Sequence, residues 1–277
     1  VTQSYVERAP RAELAGVVRT VWMQRTGALA YVQRHVPTGG VELHVPIGGG
    51  PRVLGPLTGP SVEVIPPHTT LVGVRFHPGT APPLPAVPGD LVDQRVAIGD
   101  LWGSGAADRL GEAMADAPGP EAALHLLQDH LLAAFRTTGG VDPLVREAVR
   151  LLMPWQPVDV AAVADRLSIS TSQLRRRCLR AVGVGPKVLQ RTLRFQGFLA
   201  LAQARAGNAG AGGSGLAGLA AEAGYADQAH LSRECLELSG LSPRELLVGG
   251  EDRCGCGHDH AASYTPFLAG RGALLHR

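Results

Sequence analysis

The sequence predicts an α+β protein of two domains: a β-rich N-terminal domain, built as a small barrel or sandwich with added helices, and an all-α C-terminal domain with two helix-turn-helix units. Three observations carry this. Short β-branched runs punctuated by Gly and Pro clusters fill residues 1–100. Helical patterning without strand signals takes over from Ala106. One pattern occurs twice, LRRRCLRAVGVGP at 174–186 and LSRECLELSGLSP at 231–243, displaced by 57 residues.

The strands come first. VVRTVWMQ, VELHVPI, SVEVI and TTLVGVRF alternate in part, and PTGG, GGGP, GPLTGP, PP and HPG separate them. Such regular short strands favour a sandwich or barrel over a parallel sheet. AADRLGEAMADA and PEAALHLLQDHLLAAFR then read as helices, the second with Pro120 near its start. TTGG at 137–140 is a linker signal. A helix follows with Asp142 as N-cap and Pro143 in its first turn. DVAAVADRL is a short helix capped by Asp159, and STSQ at 170–173 has the form of a capping box. Gly183 is placed to end that helix, and PKVLQRTLRFQGFLALAQARA is a longer one. GNAGAGGSG is a loop. LAGLAAEAGY then repeats the role of DVAAVADRL, Asp227 that of Ser170 and Gly240 that of Gly183, before SPRELL begins another helix. The domains predicted are 1–140, 141–250 and a flexible tail at 251–277.

Composition narrows the functional classes. Hydrophobic residues make up 45% of the 277, enough for two cores, while aromatics make up only 4%, so Leu, Val and Ala must pack them. The net charge of +2 conceals an asymmetry: 12 Arg face 14 acidic residues in 1–154, but 11 basic face 7 acidic in 155–250. The basic excess thus sits in the repeated region, as a polyanion-binding module requires. No apolar run is long enough for a membrane span, no secretory signal pattern is present, and 4 Cys make no disulfide framework in a chain of this size. These features predict a cytoplasmic, nucleoid-associated protein.

Each repeat holds a short helix, a tight turn and a second helix with basic or polar residues near its front. This is the layout of a helix-turn-helix, whose second helix enters the DNA major groove. Adjacent major grooves on one duplex face recur about every 34–36 Å. A connecting helix of about 20 residues spans about 30 Å, so it suits two reading heads on one duplex.

The repeat region, roughly 158–248, resembles the AraC/XylS family of bacterial transcription regulators. GYADQAHLSRECLELSGLSPREL is similar to the family signature, and VAAVADRLSISTSQLRRRCLRAVGVGPKVLQ to its first helix-turn-helix. VVRTVWMQ, RHVPTGGVELHVPI, VLGPLTGP, VGVRFHPGTA and LWG resemble a β-rich domain of unknown function found ahead of such modules. The resemblance implies double-stranded DNA as partner, with RNA polymerase, a small-molecule effector and a second copy of the chain as further partners, and no catalysis. The sequence departs from the family in having Cys178 and Cys235 where an aromatic is usual, and Leu236-Glu237-Leu238 in place of a basic stretch.

In the first reading helix, Ser172, Arg175 and Arg176 share a face and are assigned to base edges; Arg can hold guanine O6 and N7 bidentately. In the second, Gln228, His230 and Arg233 are assigned likewise, against the alternative that they serve local hydrogen bonding. Arg177, Arg180 and Lys187 are assigned to phosphates. The apolar faces of the helices between Glu121 and Arg136 are expected to mediate dimerisation or effector response.

Two further constellations carry alternatives. Cys254, Cys256, His258 and His260 in CGCGHDH form a Cys2His2 set suited to zinc, though the spacing is tighter than structural sites use. This would make the protein a metal-sensing regulator; otherwise no cofactor is expected. His35, His44, His68 and His77 lie in the β-rich domain. Three inward His would suit a cupin-like metalloenzyme with an accessory helical domain, but no close H-x-H pair occurs, and loop positions or ordinary hydrogen bonds are the simpler reading.

Overall fold

The computed structural model describes residues 3–84, 86–136, 141–156, 158–207, 215–248 and 260–275. The N-terminal runs form strands β1 (Ser4–Arg8), β2 (Val18–Arg25), β3 (Tyr31–His35), β4 (Glu42–Pro46), β5 (Arg52–Leu54), β6 (Ser61–Ile65), β7 (Thr70–Phe76) and β8 (Arg95–Ala97). Six make one antiparallel sheet in the order β1-β2-β7-β4-β5-β8, while β3 and β6 pair as a separate two-stranded sheet. Helices α1 (Ile98–Trp102), α2 (Ser104–Ala115) and α3 (Pro120–Arg136) follow.

Strand alternation gives the large sheet two different faces. Val21, Leu43, Val45, Val72, Val74 and Phe76 point to one side. There they meet Leu110 and Met114 of α2 and Leu124, Leu127 and Leu131 of α3. Most of the apolar face of α3 is therefore spent in its own domain's core.

The opposite face is polar yet buried. Arg75 donates from Nη1 to Glu7 Oε1 at 2.7 Å and from Nε to Glu42 Oε1 at 2.8 Å. Burial alone would raise both carboxyl pKa values. The charges of His260 and Arg75 instead hold Glu7 well below the usual range, and Arg75 with His44 does so for Glu42.

Two elements shield this face. The first is the β3–β6 sheet: Gln24 Nε2 donates to Gln33 Oε1 at 3.1 Å, and Tyr31 and Ile65 pack on Trp22 and Leu71. The second is a C-terminal helix. His260 Nδ1 lies 2.6 Å from Glu7 Oε1, the Ser263 backbone N–H donates to Glu7 Oε2 at 3.0 Å, and Ser263 Oγ meets both Thr20 and Arg75. Arg19, buried in β2, lies over the Phe267 ring at 5.7 Å.

The remaining helices are α4 (Pro143–Leu152), α5 (Val160–Arg166), α6 (Thr171–Ala181), α7 (Pro186–Gly207), α8 (Leu216–Glu222), α9 (Gln228–Ser239), α10 (Pro243–Val248) and α11 (Ala261–Leu275). Their shared core includes Leu174, Leu189, Leu193, Phe195, Phe198 and Leu231. Cys178 and Cys235 are free and fully buried in it; burial pushes their thiols up to about 11 and about 12, so they act as small apolar side chains. Helix α11 corrects the flexible tail expected over its span. Pro266 inside it should break a helix, but Tyr264 and Phe267 are buried in the helical core and Trp155 Nε1 donates to the Phe267 carbonyl at 2.8 Å. Tertiary packing overrides local propensity here. Among the described residues, no helix is long and apolar enough to cross a membrane.

Removing Arg75 would leave two buried carboxylates without their partner. Arg75→Ala should cost about 3–5 kcal/mol in urea unfolding. Because the folded-state pKa values of Glu7 and Glu42 are depressed, their contribution is complete above the ordinary carboxylate range and is lost as pH falls through the depressed values. Unfolding midpoints measured across that acid range should therefore fall with pH more steeply in the wild type than in Glu7→Gln. Parallel profiles would show that Glu7 carries no such linkage.

Candidate nucleic-acid interface

The first helix-turn-helix is α5, a turn and α6. Asp159 caps α5 by accepting from Ala162 N at 2.8 Å. The turn needs a left-handed residue, supplied by Ser168 at φ 54°. The capping box is complete: Ser170 Oγ accepts from Gln173 N at 3.1 Å and Gln173 Oε1 accepts from Ser170 N at 2.9 Å. Leu174 and Cys178 face the core, so Ser172, Arg175, Arg176, Arg177 and Arg180 are all left exposed. Lys187, in the first turn of α7, is exposed as well. Arg177 Nη1 donates to Asp142 Oδ2 at 2.6 Å, which ties one assigned phosphate ligand to the N-cap of α4.

The second unit is α8, a turn and α9. Asp227 caps α9 by accepting from His230 N at 2.6 Å. Gln228 and Arg233 are exposed. His230 is turned back: its Nδ1 accepts from Ala226 N at 3.4 Å and its ring stands edge-on to Tyr225, 5.2 Å away. The structure thus gives His230 a local hydrogen-bonding role in the turn. Glu234 and Glu237 of α9 are both engaged by Arg191 of α7.

Helix α7 packs against both reading helices. Its 22 residues span about 33 Å at 1.5 Å per residue. The β-rich domain grips this assembly at equivalent points. Gly183 and Gly240, one repeat apart, both adopt positive φ, 89° and 72°. A side chain on Gly183 would strike the Pro88 carbonyl at 2.8 Å and Pro56 at 3.0 Å; one on Gly240 would meet Arg34 at 3.2 Å and Pro60 at 3.7 Å. Arg34 Nη1 also donates to the Ser239 carbonyl at 3.1 Å, and Gln196 Nε2 of α7 to the Pro37 carbonyl at 2.8 Å.

A cleft of about 900 Å³ separates α6 from the β-rich domain. Gln173, Arg176, Arg177 and Arg180, spaced three and four apart, line one wall; Leu14, Val17, Leu132 and Phe135 contribute to the other. Arg176 is therefore shared between the predicted base-reading face and this cleft.

Of the tail set, Cys254, Cys256 and His258 lie outside the described residues, and His260 faces Glu7 as described above. Of the four histidines in the β-rich domain, His68 lies in a turn at φ 56° and His77 follows β7. His35 and His44 come together, with ring centroids 5.3 Å apart, and Glu63 joins them. No local motif connects Glu63 to either histidine; the pairing of β3 with β6 and the facing of the two sheets do.

Both Gly183→Ala and Gly240→Ala should destabilise by more than about 1 kcal/mol, since each forces an L side chain into the left-handed region. Gly183→Ala should cost more, because its Cβ meets a backbone carbonyl whereas that of Gly240 meets the movable end of Arg34. Equal losses in chemical denaturation would mean that the β-rich domain does not press on the first head.

Residues 6–97 match the family described as Domain of unknown function (DUF6597), and residues 163–247 match a helix-turn-helix domain family. No match is found among curated proteins. Similar solved structures include ToxT from Vibrio cholerae O395, at 10% identity and a TM-score of 0.42, covering 90% of this chain and 98% of that one. Unsaturated fatty acid bound wild-type ToxT from Vibrio cholerae strain SCE256 is similar at 12% identity and a TM-score of 0.39, covering 89% and 94%. Residues 163–247 thus form a helix-turn-helix domain, preceded in the same chain by the domain of unknown function.

Proposed function

We propose that a single chain reads an asymmetric operator with two unequal heads placed in successive major grooves. The observation that supports this most directly is the duplicated burial pattern. In α6 and α9 the matching pairs Leu174/Cys178 and Leu231/Cys235 are fully buried, which turns Ser172, Arg175 and Arg176 of one helix and Gln228 and Arg233 of the other to solvent. Arg175 and Arg176 take guanine edges and Gln228 an adenine edge, while Arg180 and Lys187 hold phosphates together with the capped helix N-termini. Arg177 joins them when DNA displaces Asp142 from its guanidinium.

The first head dominates affinity in this reading, because α6 carries four Arg and no acid. The β-rich domain acts as the regulatory partner. It touches the C-terminal ends of both reading helices, so a change within it alters how the heads are presented. The arginine-lined cleft beside α6 is where a small anionic effector would compete with DNA for Arg176.

The test is selection of an operator from random DNA, followed by binding of variants. Arg176→Ala should weaken the selected site by about 1–3 kcal/mol and relax preference at one base position, and Arg233→Ala should do less. Equal weakening of Arg176→Ala on every sequence would reassign this residue to phosphate. Failure of the wild-type chain to enrich any sequence would refute specific reading altogether.

A further inference from the structure

We propose that His35, His44 and Glu63 bind one divalent first-row transition ion between the two sheets of the β-rich domain, and that its occupancy controls the seat of the second reading helix. The first half stands on the β-rich domain alone; the second rests on the DNA-reading function proposed above.

The site is assembled across the sheets. His44 projects from β4 on the buried polar face of the large sheet. His35 on β3 and Glu63 on β6 are diagonal neighbours of the facing sheet, where His35 pairs with Ser61 and Gln33 with Glu63. One nitrogen from each imidazole and one carboxylate oxygen all lie within 4.8 Å of one another. Ligands about 2.0–2.2 Å from a tetrahedral ion stand roughly 3.5 Å apart, so the three groups must draw closer by up to about 1.3 Å. His35 Nε2 and Glu63 Oε2 are already at 3.3 Å.

The surroundings suit a metal site. All three side chains are largely shielded, at 12%, 6% and 15% exposure for His35, His44 and Glu63. Glu42 Oε2, 3.4 Å from His44 Nε2, orients that ring, as carboxylates commonly do behind metal-binding histidines. Arg95 Nη2 lies 3.0 Å from Glu63 Oε2 and Arg52 Nη1 lies 3.8 Å from Glu63 Oε1. These cations position the carboxylate, and they also oppose a dication, so capture depends on the two imidazoles. Two His and one carboxylate are a donor set for zinc or ferrous iron.

The route to DNA is short. Arg34 precedes His35 on β3 and donates to the Ser239 carbonyl at the end of α9. Drawing His35 and Glu63 onto an ion moves the strand that carries this contact.

Metal-stripped full-length protein is titrated with Zn2+ and Co2+. We expect one equivalent per chain and a Co2+ visible spectrum without thiolate charge transfer. Affinity should fall at least about tenfold in His35→Gln, His44→Gln and Glu63→Gln, and should persist in Cys254→Ser/Cys256→Ser. Wild-type imidazole 15N shifts on Zn2+ addition give a readout that needs no variant to fold, and should single out His35 and His44. No uptake, or uptake lost only with the cysteine pair, overturns the site. Zn2+ should also change affinity for a selected operator at least about fivefold. A filled site with unchanged DNA affinity overturns the control, whereas absence of any sequence-specific binding refutes the DNA reading and leaves the metal titration to stand or fall alone.

Discussion

The structure turns on one guanidinium buried between two carboxylates. Arg75, Glu7 and Glu42 lie on a sheet face that is largely shielded from solvent. Charges so placed are tolerable only when paired with each other and hydrogen-bonded by whatever covers them. The β3–β6 sheet covers part of this face. Ser263 and His260 supply hydrogen bonds to the cluster, which draws the C-terminal helix α11 onto the N-terminal domain. Since α11 also packs along α7, satisfying one buried ion cluster joins the two domains.

That junction has consequences for reading DNA. Once α7 is seated against Pro37, the ends of α6 and α9 fall against the β-rich domain at Gly183 and Gly240. The same duplication that repeats the reading helix also repeats the glycine where the β-rich domain bears on it. A pair of heads held at both ends has its separation set by the domain that holds them. The two halves of the chain are therefore mechanically coupled even though each has its own hydrophobic core.

Much of the helical half was legible in the sequence because its signals are local. Asp142, Asp159, Ser170 and Asp227 are N-caps in the structure as their positions predict, and Gly183 and Gly240 take the positive φ that ends such helices. The β-rich class was legible from alternation. What escaped depends on contacts remote in sequence. Pro266 and the glycines at 270 and 272 argue against α11, and only packing of Tyr264 and Phe267 overrides them. His230 reads equally well as a base contact or a turn ligand until its ring is placed against Ala226 and Tyr225. The His35, His44 and Glu63 cluster needs the pairing of β3 with β6 and the facing of two sheets, neither of which spacing reveals.

The central claim is that two unequal heads are held in register by the rest of the chain. Hydroxyl-radical footprinting of the full-length protein on a selected operator tests it most directly. The account predicts two protected tracts on one face of the duplex, about 34–36 Å apart, over a site without two-fold symmetry, with the stronger protection under the first head. Protection confined to one groove, or a symmetric pair of identical half-sites, would contradict it.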